Sequence, residues 1–184
     1  MVRTLVLGGI RSGKSRWAET AAASAVGVDS PVRYLATGWC PDPGTDASWE
    51  ERVHAHRLRR PAHWCTVETT GVPQQLRDAP GVATLVDDVG GWLTAAFDRR
   101  VAWDDDARTA AVRADADDFV AAVTAFASPL VLVSPEVGLS VVPAFRAGRR
   151  FADELGALNQ RLAAICDRVV LVVAGIPVPI KDAS

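Results

Sequence analysis

GGIRSGKS, Gly8 to Ser15, stands between the apolar run RTLVLG and the helix-forming stretch RWAETAAASA. It satisfies G-x-x-x-x-G-K-[ST] with Gly8, Gly13, Lys14 and Ser15, and a strand before it and a helix after it are the context that separates a phosphate-binding loop from a chance turn. Its glycines let the backbone N–H groups from Gly8 through Gly9, Ile10, Arg11, Ser12 and Gly13 close around an anion, with the positive end of the next helix aimed at the same point. Lys14 then reaches the β- and γ-phosphates of a nucleotide, and Ser15 offers a hydroxyl to Mg²⁺.

Outward from this loop, apolar runs recur at VRYLAT, VATLVDD, PLVLVS and RVVLVVAG. They are nearly continuous rather than alternating, as strands covered on both faces are. Between them lie helical spacings. Phe151, Leu155, Leu158, Leu162 and Ile165 trace one helix face, and that helix is expected to start near Pro143 and stop before Asp167. Residues 104–127 read as one amphipathic helix, and residues 38–48, GWCPDPGTDAS, as a mobile loop over the carboxyl edge of the sheet. Strands alternating with helices predict an α/β fold with a mostly parallel sheet flanked by helices.

The 184 residues fit a single domain spanning 1–184, and the 20 Lys and Arg against 22 Asp and Glu give a net charge of −2. That balance supplies no global basic field for nucleic acid, so any anion site must be built locally. Cys40, Cys65 and Cys166 are odd in number and lack metal-ligand spacing, which suits structural thiols in a reducing cytoplasm. No run approaches the ~20 apolar residues of a membrane span.

A phosphate loop works with an acid at the end of another strand, and VATLVDD ends in Asp87 and Asp88. Asp87, directly after the run, is the expected Mg²⁺-side acid, whereas Asp88 is placed equally well as a cap of the next helix. A second constellation is ERVHAHRLRRPAHW, residues 51–64, with all three histidines among Arg52, Arg57, Arg59 and Arg60. On a helix, positions 54 and 56 point about 200° apart, which argues against a shared metal. A neutral imidazole is a competent nucleophile toward phosphorus, and guanidinium groups beside it would neutralise the phosphates it attacks. A solvated basic face explains the same run.

Several motifs in order resemble the bifunctional adenosylcobinamide kinase / adenosylcobinamide-phosphate guanylyltransferases of cobalamin biosynthesis. They are GGIRSGKSRWAE, RYLAT, RVHAHRLRRPAHWCTVE, VDD with WLT, EVG, VP with RRF, NQRLA, and VVAGIP followed by IK. The resemblance implies a P-loop NTPase of RecA-like build, using ATP or GTP with Mg²⁺ held by Ser15 and Asp87. It implies a covalent GMP intermediate on His56, the histidine five residues before Pro61, and nucleotide contacts from Arg57, Arg60 and Glu68. The implied substrates are adenosylcobinamide and its phosphate, and the implied assembly is a cytoplasmic homo-oligomer, commonly a trimer. Gly90, Ala95, Pro135 and Phe145 stand where that family usually carries amide or hydroxyl side chains, which bears on the corrinoid subsite. Two other readings fit the residues: a small-metabolite kinase using the phosphate loop alone, and a nucleotide-binding paralogue without transfer activity. Glu136, Arg146, Arg149 and Arg150 are further candidates for the active site or a subunit contact, whereas Asn159 and Gln160 are expected on the polar side of their helix.

Overall fold

The computed structural model describes residues 2–27, 29–38 and 60–182. Strands β1 (Arg3–Gly8), β2 (Arg33–Ala36), β3 (Cys65–Glu68), β4 (Thr84–Asp87), β5 (Leu130–Pro135), β6 (Arg168–Val173) and β7 (Ile176–Lys181) form one sheet. Its order is β3-β2-β4-β5-β1-β6-β7. All neighbours are parallel except β6 and β7, which pair antiparallel. The strand leading into the phosphate loop, β1, is separated from the acid-bearing β4 by β5, in a mostly parallel sheet flanked by helices as expected.

Both faces of the sheet are covered, which is why its strands read as unbroken apolar runs. Helix α1 (Lys14–Val26) lies on one face over Val6, Tyr34, Leu85, Val131, Val133 and Val170. On the other face α2 (Val72–Asp78), α3 (Val89–Arg100), α4 (Asp106–Ala125) and α5 (Arg146–Ile165) pack over Leu5, Leu35, Val86, Leu130 and Leu132. Successive residues of β5 alternate between these two cores, as the two-residue period of a strand demands.

Helix boundaries follow local chemistry. Asp88 caps α3 by accepting from the Gly91 amide at 2.7 Å, and Asp105 caps α4 by accepting from Ala107 and Arg108. The 104–127 expectation matches α4 within two residues at each end. Helix α5 starts at Arg146 rather than Pro143, because the Arg149 guanidinium donates to the carbonyls of Pro143 and Ala144 and Phe145 is extended. Its predicted apolar face is confirmed: Leu155, Leu158 and Leu162 are buried, with Phe151 and Ile165 packed against them.

Three elements escaped the sequence reading. Strand β3 is short and mostly exposed, α2 spans barely two turns, and β7 (IPVPIK) carries two prolines. Proline is tolerated there because β7 is an edge strand with nothing beyond it among the described residues. The expected loop at 38–48 and the histidine-bearing helix at 51–64 lie outside the described residues, apart from Gly38 and residues 60–64.

Candidate active site

At the carboxyl end of β1 the chain turns through Gly9, Ile10, Arg11 and Ser12 into α1. Ser12 N–H donates to the Gly9 carbonyl at 3.2 Å, Arg11 takes a positive φ of 58°, and Gly13 sits in the left-handed region at 91° before the helix begins. Gly8 has no room for a side chain, since a Cβ there would come within 2.8 Å of the Val172 carbonyl oxygen. Ile10 and Arg11 are exposed at the tip, and Lys14 folds back so that its Nζ donates to the Gly9 carbonyl at 3.3 Å. Ser12 is buried beside Gly8, and its Oγ lacks a hydrogen-bond partner among the described residues.

The loop is braced from an unexpected side. The β6–β7 turn, which carries Ala174 and Gly175 at positive φ, donates the Gly175 N–H to the Ser12 carbonyl at 2.8 Å. A Cβ on Gly13 would stand 3.2 Å from the Gly175 Cα. The VVAGIP motif is therefore a support for the phosphate loop, with Gly13 crowded by the turn and Gly175 in a left-handed conformation that favours glycine.

Asp87 and Asp88 follow the last buried residue of β4. The Tyr34 hydroxyl donates to Asp87 Oδ2 at 2.5 Å, the Thr37 amide donates to the Asp87 carbonyl at 3.1 Å, and Thr37 Oγ1 donates to the Asp88 carbonyl at 2.5 Å. The carboxyl end of β2 thus holds both acids. Burial, reinforced by the charge of Asp87, pushes the Asp88 carboxyl up to about 6, while the Gly91 and Gly90 amides and Lys14 pull the other way. Burial and Asp87 also drive the Tyr34 phenol well above the usual tyrosine range. Asp88 takes the capping role, leaving Asp87 as the acid at the sheet edge. Tyr34 and Thr37 were missed in the sequence. The available signal was a lone phenol and a hydroxyl in an apolar run, since a buried Tyr O–H needs a partner.

Register sets Glu68 and Asp87 on one level. Both pair with Ala36, so they flank β2 at the carboxyl edge with their backbones roughly 10 Å apart. Arg60 lies beside them, its guanidinium carbon 3.4 Å from the centroid of the Tyr34 ring and its Nη1 donating to Thr66 Oγ1 at 3.0 Å. His63 is exposed. His54, His56 and Arg57 fall outside the described residues. Glu136 donates its amide to the Gly8 carbonyl at 3.1 Å, so its backbone, at least, adjoins the phosphate loop.

Other candidates are redirected. Arg150, expected to contact phosphate or a subunit, is buried; its Nη1 donates to the Ala102 and Trp103 carbonyls at 2.8 Å, and it pairs with Asp106. Arg146 pairs with Asp106 as well, and Arg149 holds the start of α5. Asn159 is buried rather than on a polar face. Its Oδ1 accepts from Ser134 Oγ at 2.6 Å and its Nδ2 donates to the Pro135 carbonyl at 3.0 Å, tying α5 to the end of β5. Gln160 is exposed as expected.

No group of three or more His, Cys, Asp or Glu able to hold a metal occurs among the described residues. A hydroxyl and a carboxylate, completed by phosphate oxygens and water, nevertheless make the oxygen donor set that Mg²⁺ prefers. Ser15 and Asp87 fit that description.

The family model for cobinamide kinase / cobinamide phosphate guanyltransferase matches residues 4–180. The chain belongs to that family. Curated relatives agree over their full lengths. The bifunctional adenosylcobalamin biosynthesis protein CobP of Pseudomonas aeruginosa is 38% identical over 183 residues, covering 98% of each chain. The proteins CobU of Escherichia coli and of Salmonella typhimurium are 39% and 37% identical, each covering 96% of this chain and 98% of the relative. Among solved structures the P4 protein from bacteriophage phi6 in complex with ADP is a distant match, with 15% identity and a TM-score of 0.43, covering 96% of this chain and 54% of that one. The match to the cobinamide kinase / cobinamide phosphate guanyltransferase family spans the phosphate loop, Asp87, residues 51–64 and the β6–β7 turn alike. No helix among the described residues is long and apolar enough to cross a membrane.

Proposed function

We propose that this chain is one catalytic domain that performs both activities named for its family, in the cytoplasm, on adenosylcobinamide. The observation that carries the reading is the phosphate loop Gly8–Ser15 facing Asp87 across β5 in a chain that matches the family along nearly its whole length. In the first half-reaction the loop amides and Lys14 grip a nucleoside triphosphate, ATP or GTP. The hydroxyl oxygen of the aminopropanol arm bonds to the γ-phosphorus and loses its proton to solvent, the bond from that phosphorus to the bridging oxygen breaks, and the nucleoside diphosphate leaves with the electron pair. Ser15 and Asp87 would hold Mg²⁺, whose bound charge offsets that of the β- and γ-phosphates.

In the second half-reaction an imidazole nitrogen of His56 bonds to the α-phosphorus of GTP and pyrophosphate departs. A phosphate oxygen of adenosylcobinamide phosphate then displaces the histidine, giving adenosylcobinamide-GDP and free imidazole. Arg57 and Glu68 lie in the segment that would face the guanine nucleotide. Homo-oligomers, trimers by resemblance, would cover the exposed apolar side chains of Leu139, Val141, Val142 and Phe145 and of Ile176 and Ile180 on β7.

The kinase half is tested with γ-labelled ATP and GTP, adenosylcobinamide and Mg²⁺, comparing the native chain with Lys14→Ala. Label in adenosylcobinamide phosphate that drops at least a hundredfold in the variant is expected. Equal transfer by both would sink the assignment of Lys14.

A further inference from the structure

Asp87 carries two carboxylate oxygens, and Oδ2 is taken by the Tyr34 hydroxyl at 2.5 Å. Tyr34 is itself buried in the sheet, so the phenol cannot swing away without opening the core under α1. Arg60 lies flat on the ring at 3.4 Å, anchored by Thr66, and its Nε is buried without a hydrogen-bond partner among the described residues. A buried guanidinium edge left unsatisfied is costly, and stacking on an aromatic face is the principal compensation this site offers. The ring thus stands between the cation and the acid, its face toward one and its hydroxyl toward the other.

We propose that Tyr34 is a positioning residue for Asp87, and that Arg60 acts on this acid through Tyr34 alone. By fixing Oδ2, the phenol turns Oδ1 toward the phosphate loop, where a nucleotide-bound cation would sit. Arg60 presses the ring into place and sharpens its hydroxyl as a donor. This inference rests on the reading of Asp87 as the cation-side acid.

The test measures Mn²⁺ affinity by electron paramagnetic resonance, with a non-hydrolysable GTP analogue at saturation, in native protein, Tyr34→Phe, Arg60→Met and the double variant. Analogue affinity without metal and thermal unfolding are measured alongside. Tyr34→Phe is expected to fold, to bind the analogue without metal within about twofold of native, and to bind Mn²⁺ about five- to tenfold more weakly. Arg60→Met should weaken Mn²⁺ binding about two- to threefold and add nothing to Tyr34→Phe in the double variant. Unchanged Mn²⁺ affinity in folded Tyr34→Phe would overturn the inference, as would an equal loss of metal-free analogue binding or an additive double variant. If Tyr34→Phe does not fold, Arg60→Met decides, and native Mn²⁺ affinity in it overturns the coupling. Native protein that binds the analogue but no Mn²⁺ with it would instead refute the cation-site reading of Ser15 and Asp87, and this inference with it.

Discussion

Gly90, in the first turn of α3, lies against the ring of Pro135 at the end of β5: a Cβ at position 90 would come within 2.9 Å of Pro135 Cγ and 3.1 Å of Cδ. Two of the positions that the sequence analysis singled out for the corrinoid subsite are thus one contact. A residue without a side chain and a proline ring fit together there. Gly90→Ala is expected to cost about 1–3 kcal/mol by overpacking, and Pro135→Ala in the same chain should recover most of it. Denaturant unfolding of both single variants and the double gives the coupling, and strictly additive effects would contradict the contact.

The Gly175 amide and the Ser12 carbonyl make the β6–β7 turn part of the phosphate site. Gly175 has φ near 80° and nothing crowding its Cβ position, so Gly175→Ala suffers only the left-handed backbone penalty of about 1–2 kcal/mol. Relaxation of that turn should loosen the loop, and GTP affinity is expected to fall several-fold. Titration with a fluorescent GTP analogue checks this; native affinity in a destabilised variant would show that the turn supports the fold and not the site.

Arg150 separates structural from functional arginines. Arg150→Met strips the Ala102 and Trp103 carbonyls of their donor and is expected to cost about 2–3 kcal/mol. Nucleotide affinity of the folded variant should stay at the native level. Arg146→Ala removes an exposed pair and should change stability by less than about 0.5 kcal/mol. Weakened nucleotide binding by folded Arg150→Met would restore the phosphate role.

Cys166 gives a pH-dependent readout. Burial, with some help from Asp167, pushes its thiol up to about 12. The unfolded thiol ionises near 8.5, so the stability due to the buried neutral thiol is fully present below that pH and is lost as pH rises from there through about 12. At pH 8 burial holds the folded thiol in its neutral, unreactive form. Exposed Cys65 should therefore react with a disulfide reagent in the native protein, and Cys166 only after denaturant is added. Mass mapping of labelled peptides decides it, and prompt native labelling of Cys166 would contradict its burial.

What the sequence made legible was periodic or local. GGIRSGKS marks the end of β1, the loop and the start of α1, and the α5 stripe from Phe151 to Ile165 states which face meets the sheet. Strand β7 was hidden because prolines in IPVPIK argue against a strand until its edge position is known. Asn159 and Arg150 look like surface polar residues in a helical sequence; their burial comes from Ser134, Pro135, Ala102 and Trp103, which only the tertiary fold brings to them. Tyr34 was legible as a core residue but not as the partner of Asp87, since that pairing crosses from β2 to β4.

One chain is expected to carry both a phosphate-loop kinase and a histidine guanylyltransferase, and label on His56 decides between that pair and a kinase alone. Purified protein is incubated with Mg²⁺ and GTP labelled at the α-phosphate, denatured, and assayed for acid-labile, alkali-stable label beside His56→Ala. Label on the native chain that is lost in folded His56→Ala is the predicted result. A folded native protein that binds GTP yet carries no such label, or a His56→Ala variant labelled to the same extent, would contradict it.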